Sequence, residues 1–533
     1  MVQYFKLIII LLWTLFSVKQ ILLILYWLQT KEYRWDRFLV LLSRKTGLSS
    51  LRIAHWLLTS ILLIVSLNIQ SQYLFPFLMC VFIFLNTIVF VEFIQRKLRK
   101  PKITSRMILI LLIQCLYLGS IVLFSFENFH NALIFGQLGI IVIPFFAVFV
   151  TWPLSIYMKN KLINKAKKIM KKTNAVVIGV TGSYGKTTTK EFIAQILSKH
   201  GETVKTFANE NTEIGVAKAV IKSIRNNTKY FVVEMGAYKK GEIKAICDIV
   251  KPTIGVITGI EPQHLALFGS IENIEKAKYE LIESLPDTGI ALFNYSNSRC
   301  VKLGEKTKND KKTLKVLGYS LKETQKSNDS DIVSVIKSKK DNEITFEVSI
   351  EEKRKNFTAS FSMINLIENL TAAILVARCL NLDWNDISQG MKNVELPKGN
   401  MKVEKFIRGV VVDDSYNSSP KSFESAIDYL DSYKNKSKLL ITPGIIELGS
   451  ESKKIHFDLG QKMKGRVQKI IVTDKDNFQS LSLGYDNKGA ITYSKDSKQI
   501  NQEIKSTLSS EGMVLLEGRV PVFIRKYLDN INI

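Results

Sequence analysis

Residues 178–191 read IGVTGSYGKTTTKE, and this stretch decides the fold of the chain beyond it. The run NAVVIGV (174–180) is short, apolar and β-branched, the mark of a buried strand. KEFIAQILSKHG (190–201) has apolar residues at 192, 193, 196 and 197 and a glycine stop, the spacing of a helix. A strand, a glycine turn and a helix N-terminus make an anion site, because backbone N–H groups converge there and the helix dipole adds positive potential. Thr181, Gly182, Ser183, Tyr184, Gly185, Lys186, Thr187 and Thr188 would wrap the phosphates of a nucleotide. Lys186 would reach the β- and γ-phosphates, and the Thr187 hydroxyl would ligate Mg2+. The strict phosphate-loop pattern needs glycine at 180, where this chain has Val180, so the loop is a shorter variant.

Upstream of the loop the chain changes character. It has 533 residues, enough for three domains, and its 46% apolar content is concentrated before residue 158. Apolar segments at roughly 5–28, 53–70, 73–94, 107–126 and 132–157 predict five membrane spans, since ~20 apolar residues cross the ~30 Å hydrocarbon layer. The connection 29–52 carries Lys31, Arg34, Arg37, Arg44, Lys45 and Arg52, and 95–106 carries Arg96, Lys97, Arg99, Lys100, Lys102 and Arg106. The stretch 159–172 carries seven lysines, whereas 70–72 and 127–132 have no Lys or Arg. Basic loops stay in the cytoplasm. The N-terminus is therefore expected outside, with everything after 158 on the cytoplasmic face of the inner membrane.

The net charge of +26 is then read as a membrane surface signal, with lipid headgroups as partners and no nucleic acid. Within the spans Lys19 and Glu92 are the main charges, both read as lying near ends or as explicable by snorkelling. This scarcity of intramembrane charge argues against a transporter with a nucleotide-sensing domain. Five scattered cysteines, with no C-x-x-C pair, exclude a disulfide framework or a zinc ribbon.

Five further segments come after the loop in order. ANENTEIGVA (208–217) is asparagine-rich, and FVVEMGA (231–237) is a buried strand that reaches Glu234. GVITGIEPQHLALFGSIENIEKAKYE (255–280) carries His264, an F-G-S, and an A-K-x-E containing Lys278. VVDDSYNSSPKSF (411–423) carries Asp414, Tyr416 and Asn417, and IIELGSESKKIHFDLG (445–460) an E-L-G…H pattern. With the loop, these resemble the motifs of the Mur ligase family, the ATP-dependent amide-forming enzymes of bacterial cell-wall synthesis, and most closely its D-alanyl-D-alanine-adding branch. The resemblance covers about 173–533.

That resemblance implies a reaction. A carboxylate attacks the γ-phosphorus of ATP to give an acyl phosphate, and an amine then displaces phosphate. Phosphoryl transfer asks for positioning and charge neutralisation. By resemblance, Lys186 neutralises the moving phosphoryl group, Thr187 and Glu234 hold one Mg2+, and His264 contributes to a second. Lys278 would be carbamylated, which turns a cation into a metal-binding anion. Asp414, Tyr416 and Asn417 would meet the ribose and base, with Asn369 on the adenine side. Taken alone, Glu234 also reads as a strand-edge carboxylate, His264 as a loop residue, Lys278 as a solvated helix lysine and DDSYN as an ordinary turn.

The pattern also departs from the family. In MINLIENLTAAI (363–374) Asn369 survives, but Asn365 stands where His is expected and Leu366 where Asn is expected. Gly399-Asn400 replaces a G-R, and Glu517-Gly518-Arg519 stands for a K-G-S-R. These changes leave a non-catalytic scaffold of wall assembly as the alternative to a ligase.

The expected organisation is an α-helical membrane domain at 1–158, a basic juxtamembrane linker at 159–172, an α/β central ATP-binding domain at 173–393 and a smaller doubly wound Rossmann-like domain at 394–533. The stretch 313–362 is expected as a side sheet and 302–331 as a surface loop. Expected partners are a cell-wall sugar-peptide precursor, an amino acid or dipeptide, and wall-assembly proteins. Because membrane helices stand where the family has a soluble domain for the UDP end of its substrate, a lipid-linked acceptor is expected.

Overall fold

The computed structural model describes residues 2–531 apart from 36, 39–52, 68–70, 95–97, 208–209, 322–329, 341–342, 351–352, 362, 393, 397–401, 407, 416–417, 434–435 and 488, and apart from the side chains of 2, 53–55 and 71–72. Tyr416, Asn417, Gly399, Asn400, Arg44, Lys45, Arg52, Arg96 and Lys97 therefore lie outside the described residues. The chain divides into two compact units, residues 1–160 and 161–533.

The first unit is helical: α1 (Val2–Thr30), α2 (Ile53–Ser66), α3 (Ser71–Ile94), α4 (Ser105–Phe124) and α5 (Phe129–Val150). Among the described residues four helices are long and apolar enough to cross a membrane: Gln3–Thr30, Tyr73–Ile94, Ser105–Phe124 and Phe129–Val150. The remaining expected span, 53–70, is described as the shorter apolar helix α2. Segment 53–70 yields a helix of 14 residues, about 21 Å long at 1.5 Å per residue and short of the hydrocarbon thickness. Side-chain pairs fix the helix directions. Asn86 of α3 donates to the Leu12 carbonyl of α1 (2.9 Å), and one to two turns on, Lys19 meets Glu92 (2.8 Å), so α1 and α3 run parallel. Lys6 lies over Phe129, and the Trp13 indole donates to Gln137 (3.3 Å), so α5 is parallel to α1 as well. Arg106 reaches the Val148 carbonyl while Tyr117 reaches that of Phe135, so α4 runs antiparallel to α5.

Lys19 and Glu92 correct an expectation. They do not snorkel apart; they form a buried ion pair, with side chains 7% and 14% exposed. Apolar surroundings weaken solvation of each charge, so pairing is the lower-energy arrangement.

The second unit takes in the end of the helix Trp152–Met170, where Ile163 and Ala166 are buried in its core. The basic linker is thus helical as far as Met170. Nine strands come next: β1 (Val176–Thr181), β2 (Thr203–Lys205), β3 (Tyr230–Glu234), β4 (Ile254–Ile257), β5 (Ile290–Asn294), β6 (Lys315–Leu321), β7 (Ile332–Lys340), β8 (Glu343–Ile350) and β9 (Lys353–Ala359). They form one sheet in the order β2-β3-β1-β4-β5-β6-β7-β8-β9. It is parallel through β7 and antiparallel beyond. The expected side sheet is therefore an extension of the main one, because β7 pairs with β6 from Tyr319↔Ile332 onward. Most of the expected surface loop 302–331 is also ordered, as part of the helix Ser298–Asp310 and as β6.

The remaining strands are β10 (Lys402–Lys405), β11 (Val410–Asp414), β12 (Lys438–Thr442), β13 (Lys469–Val472), β14 (Ile491–Tyr493) and β15 (Met513–Glu517). They make a six-stranded sheet, β10-β11-β15-β12-β13-β14, parallel except at the β10 edge. The two sheets share a core. Leu366 and Leu370 of the helix Asn365–Cys379 belong to the same buried cluster as Val412, Phe423 and Leu430. Burial of this seam fixes the C-terminal sheet against the mouth of β1.

Candidate active site at the domain seam

β1 lies between β3 and β4, so the turn after it opens at the carboxyl ends of three parallel strands, where α/β sheets place their ligands. The turn needs its glycines. Gly182 has φ +151 and a Cβ there would meet Thr258 Oγ1 at 2.1 Å; Gly185 has φ +72 and its Cβ would meet Asn369 Oδ1 at 2.6 Å. Both are conformations and spaces that only glycine tolerates. Gly185 is the N-cap of the helix Lys186–Leu197. Its left-handed backbone turns the loop so that Ser183 through Thr188 line a cleft. Lys186 Nζ donates back to the Gly182 carbonyl (2.7 Å). Burial lowers its pKa, partly offset by Glu234. Thr181 stays beneath the loop, fully buried, its hydroxyl donating to the Met235 carbonyl (2.9 Å).

Parallel pairing of Val180 with Glu234 brings the last residue of β3 alongside the loop. Glu234 is 3% exposed, and three side chains hold it. Asn211 Nδ2 donates to its Oε1 (3.0 Å), Thr206 Oγ1 accepts from its backbone N–H (3.0 Å), and fully buried Lys190 stands 3.6 Å from its Oε2. Lys278 also enters the cleft, from the helix Ile271–Glu283, and is 3% exposed. Burial, then the neighbouring Lys186 charge, pushes its pKa well below the usual lysine range. The surface-lysine alternative is thereby excluded. Glu280, two residues on, faces elsewhere: its carboxylate accepts from the N–H groups of Gly241 and Lys244, at the N-terminus of the helix Glu242–Val250.

His264 lines the same cleft. Its Nδ1 lies 2.5 Å from Glu447 Oε2, and its ring is 4.6 Å from that of Tyr238. Burial lowers its pKa, and the Glu447 carboxylate works against that shift. Asn369 lies under the loop, accepting from the Thr189 hydroxyl (3.1 Å). Asp414 lines the cleft from the C-terminal domain.

Three features went unassigned in the sequence. Lys421 crosses the seam to Glu368 (3.2 Å) and to the Tyr184 hydroxyl (3.3 Å), with its ammonium 4.9 Å from the Tyr184 ring centre. Glu517, read only as a departure, is fully buried beside Asp414 through the β11–β15 pairing, and Ser418 donates to it (2.6 Å). Burial, then the Asp414 charge, pushes its pKa well above the usual carboxylate range. Glu447 and Asn211 lie within the motif segments, but their partners are distant in sequence.

The donor set fits Mg2+. Among the described residues no cluster of three His, Cys, Asp or Glu side chains forms a protein cage. Mg2+ is ordinarily held by one or two carboxylates, substrate phosphates and water. One buried carboxylate, Glu234, beside a phosphate loop meets that requirement.

A parallel sheet with a phosphate loop at its mouth, and a second α/β domain across the cleft, define an ATP-dependent ligase. Residues 180–377 match the Mur ligase middle domain, and residues 401–520 match the Mur ligase, glutamate ligase domain. A UDP-N-acetylmuramoyl-tripeptide–D-alanyl-D-alanine ligase of Synechocystis sp. is 31% identical over 345 residues, 64% of this chain and 71% of the relative. The protein of the same name from Bacillus subtilis is 26% identical over 366 residues, 66% of this chain and 75% of its own length. Among solved structures, MurF from Acinetobacter baumannii has a TM-score of 0.62 at 22% identity, covering 70% of this chain and 80% of that one. MurF from Thermotoga maritima in complex with ADP gives 0.59 at 23% identity, covering 70% and 83%. The chain belongs to the Mur ligase family.

Proposed function

We propose that this protein is a membrane-held ligase of the MurF type, joining the amine of a D-alanyl-D-alanine dipeptide to the carboxylate of a muramoyl-peptide wall precursor. The observation that carries the reading is the convergence of Lys186, Glu234, His264 and Lys278 on one cleft at the phosphate loop. The relatives matched over 64% and 66% of the chain are named for that reaction.

In this reading the loop amides and Lys186 bind the triphosphate and offset the charge on the transferred group. Thr187 and Glu234 would hold Mg2+, which would supply charge neutralisation to the phosphates. Asn211 and Lys190 keep the Glu234 carboxylate oriented, and Thr206 anchors its backbone N–H. The acceptor carboxylate attacks the γ-phosphorus and ADP leaves; the dipeptide amine then attacks the acyl carbon, expelling phosphate and losing a proton. Lys278, buried and held toward its neutral amine, is suited to take up CO2 as a carbamate. That anion would join His264 at a second Mg2+. Asp414, with Tyr416 and Asn417, would meet the ribose and base.

The apolar helices hold the ligase at the cytoplasmic face of the inner membrane, N-terminus outside, and favour an acceptor presented at the bilayer in lipid-linked form. The parallel course of α1, α3 and α5, with α4 opposed, supports that alternation. The test is phosphate release by the full chain in detergent, with D-alanyl-D-alanine and either UDP-linked or lipid-linked muramoyl-peptides, in wild type, Lys186→Ala and Glu234→Ala. Acceptor-dependent release lost in both variants supports the ligase, and preference for the lipid-linked acceptor supports presentation at the bilayer. No release with any acceptor would leave the non-catalytic scaffold.

A further inference from the structure

The contact between His264 and Glu447 joins two domains across 183 positions of sequence. It is built from unusual backbone. His264 has φ +55 and Glu447 φ +65, both in the left-handed region without being glycine. Such residues carry backbone strain and persist where the surroundings over-determine them. The surroundings here are specific. The Ala266 N–H donates to the Glu447 carbonyl (3.0 Å), and Gly449, at φ +59, packs with its Cβ position 3.3 Å from the Ala266 backbone. Backbone docking at 264–266 and 447–449 therefore sets the carboxylate against the imidazole, and both side chains are mostly buried, at 14% and 16% exposed.

A carboxylate only accepts hydrogen bonds, so Nδ1 must carry the proton in this contact. The neutral ring then presents Nε2 as its lone-pair nitrogen, and Nε2 has no hydrogen-bond partner among the described residues. An imidazole whose Nδ1–H is held by a carboxylate, with a bare Nε2 on a cleft, is prepared for a cation. A carboxylate in this relation fixes the tautomer and ring orientation and raises ligand basicity.

We infer that Glu447 is a positioning residue for the second metal ion. Supplied by the C-terminal domain, it orients His264 of the central domain, so that this metal site is complete only when the two domains are docked. The inference rests on the proposed metal role of His264, and its test separates the two.

Mn2+ is titrated into the full chain in detergent with saturating ADP and bicarbonate, and bound Mn2+ is counted by electron paramagnetic resonance. Wild type should bind two ions and His264→Ala one. If His264→Ala keeps both at wild-type affinity, the metal role of His264 falls, and the role of Glu447 with it. Given that first result, Glu447→Ala should weaken the same ion by about 10–100-fold, with isosteric Glu447→Gln intermediate. Side-chain 15N NMR of the five histidines, with His264 assigned by its loss in His264→Ala, gives a readout independent of metal. The His264 signal should report Nδ1–H in wild type and shift toward Nε2–H in Glu447→Ala. Loss of one ion in His264→Ala, but affinity within twofold of wild type and an unchanged tautomer in both Glu447 variants, would overturn the inference.

Discussion

The cleft has two halves that obey different rules. In the phosphate half, Gly182, Gly185, Lys186, Thr187 and Glu234 all stand where the motifs put them, within one turn and the adjoining strand end. In the base half the pattern is rebuilt. Asn365 and Leu366 replace the expected pair, Lys421 bridges to Glu368 and Tyr184, and a buried Glu517 sits beside Asp414. Under the proposed function, the difference follows from what each half would recognise. Phosphates are read by backbone N–H groups and a fixed charge, which allow few solutions. A base and ribose are read by shape and a few polar contacts, which many side-chain sets can supply.

The contrast can be broken most severely from the phosphate side. Lys186→Ala should lower acceptor-dependent ATP turnover by about 10²–10³-fold or more, measured as phosphate release, with the melting temperature little changed. If turnover survives within tenfold, this loop is not the reacting site. Gly185→Ala should cost about 1–3 kcal/mol and weaken ATP binding as well, because φ +72 and the 2.6 Å approach to Asn369 are both violated. Thermal unfolding and nucleotide titration on one sample separate the two effects.

Smaller changes sharpen the base half. Lys421→Ala leaves the Glu368 carboxylate, 5% exposed, with Asn294 as its remaining donor at 3.1 Å. A loss of about 2–3 kcal/mol is expected, and Lys421→Ala combined with Glu368→Gln should recover most of it. The smallest effect concerns Glu517. Its folded pKa is raised, so its contribution to stability is fully present below the ordinary carboxyl value of 4.5 and is lost as pH rises toward the folded pKa. Glu517→Gln should therefore raise the melting temperature at pH 8 more than at pH 5. An equal shift at both would mean that Glu517 does not keep its proton.

Legibility in the sequence tracked the range of the interactions. The loop, the Glu234 strand end and the buried Lys278 were legible because each lies within a dozen residues of its own motif. The extent of the apolar segment 53–70 was not: hydropathy runs it to 70, whereas the described helix stops at Ser66. Lys19 and Glu92 each look like an isolated charge, and only parallel packing of α1 on α3 makes them a pair. Glu447 and Lys421 lie in motif segments, but nothing local marks their partners, 183 and 53 positions away.

The sequence by itself determined the apolar N-terminal helices, the α/β class of the rest, the phosphate turn and the family, because periodicity, glycine placement and motif order are local properties of a chain. Only the tertiary structure decided that the C-terminal domain reaches His264 through Glu447 and reaches Tyr184 and Glu368 through Lys421, and that Glu517 is buried beside Asp414. Those facts depend on which side chains the packing of two sheets brings within a few ångströms, and such proximity between distant positions leaves no mark in a single sequence.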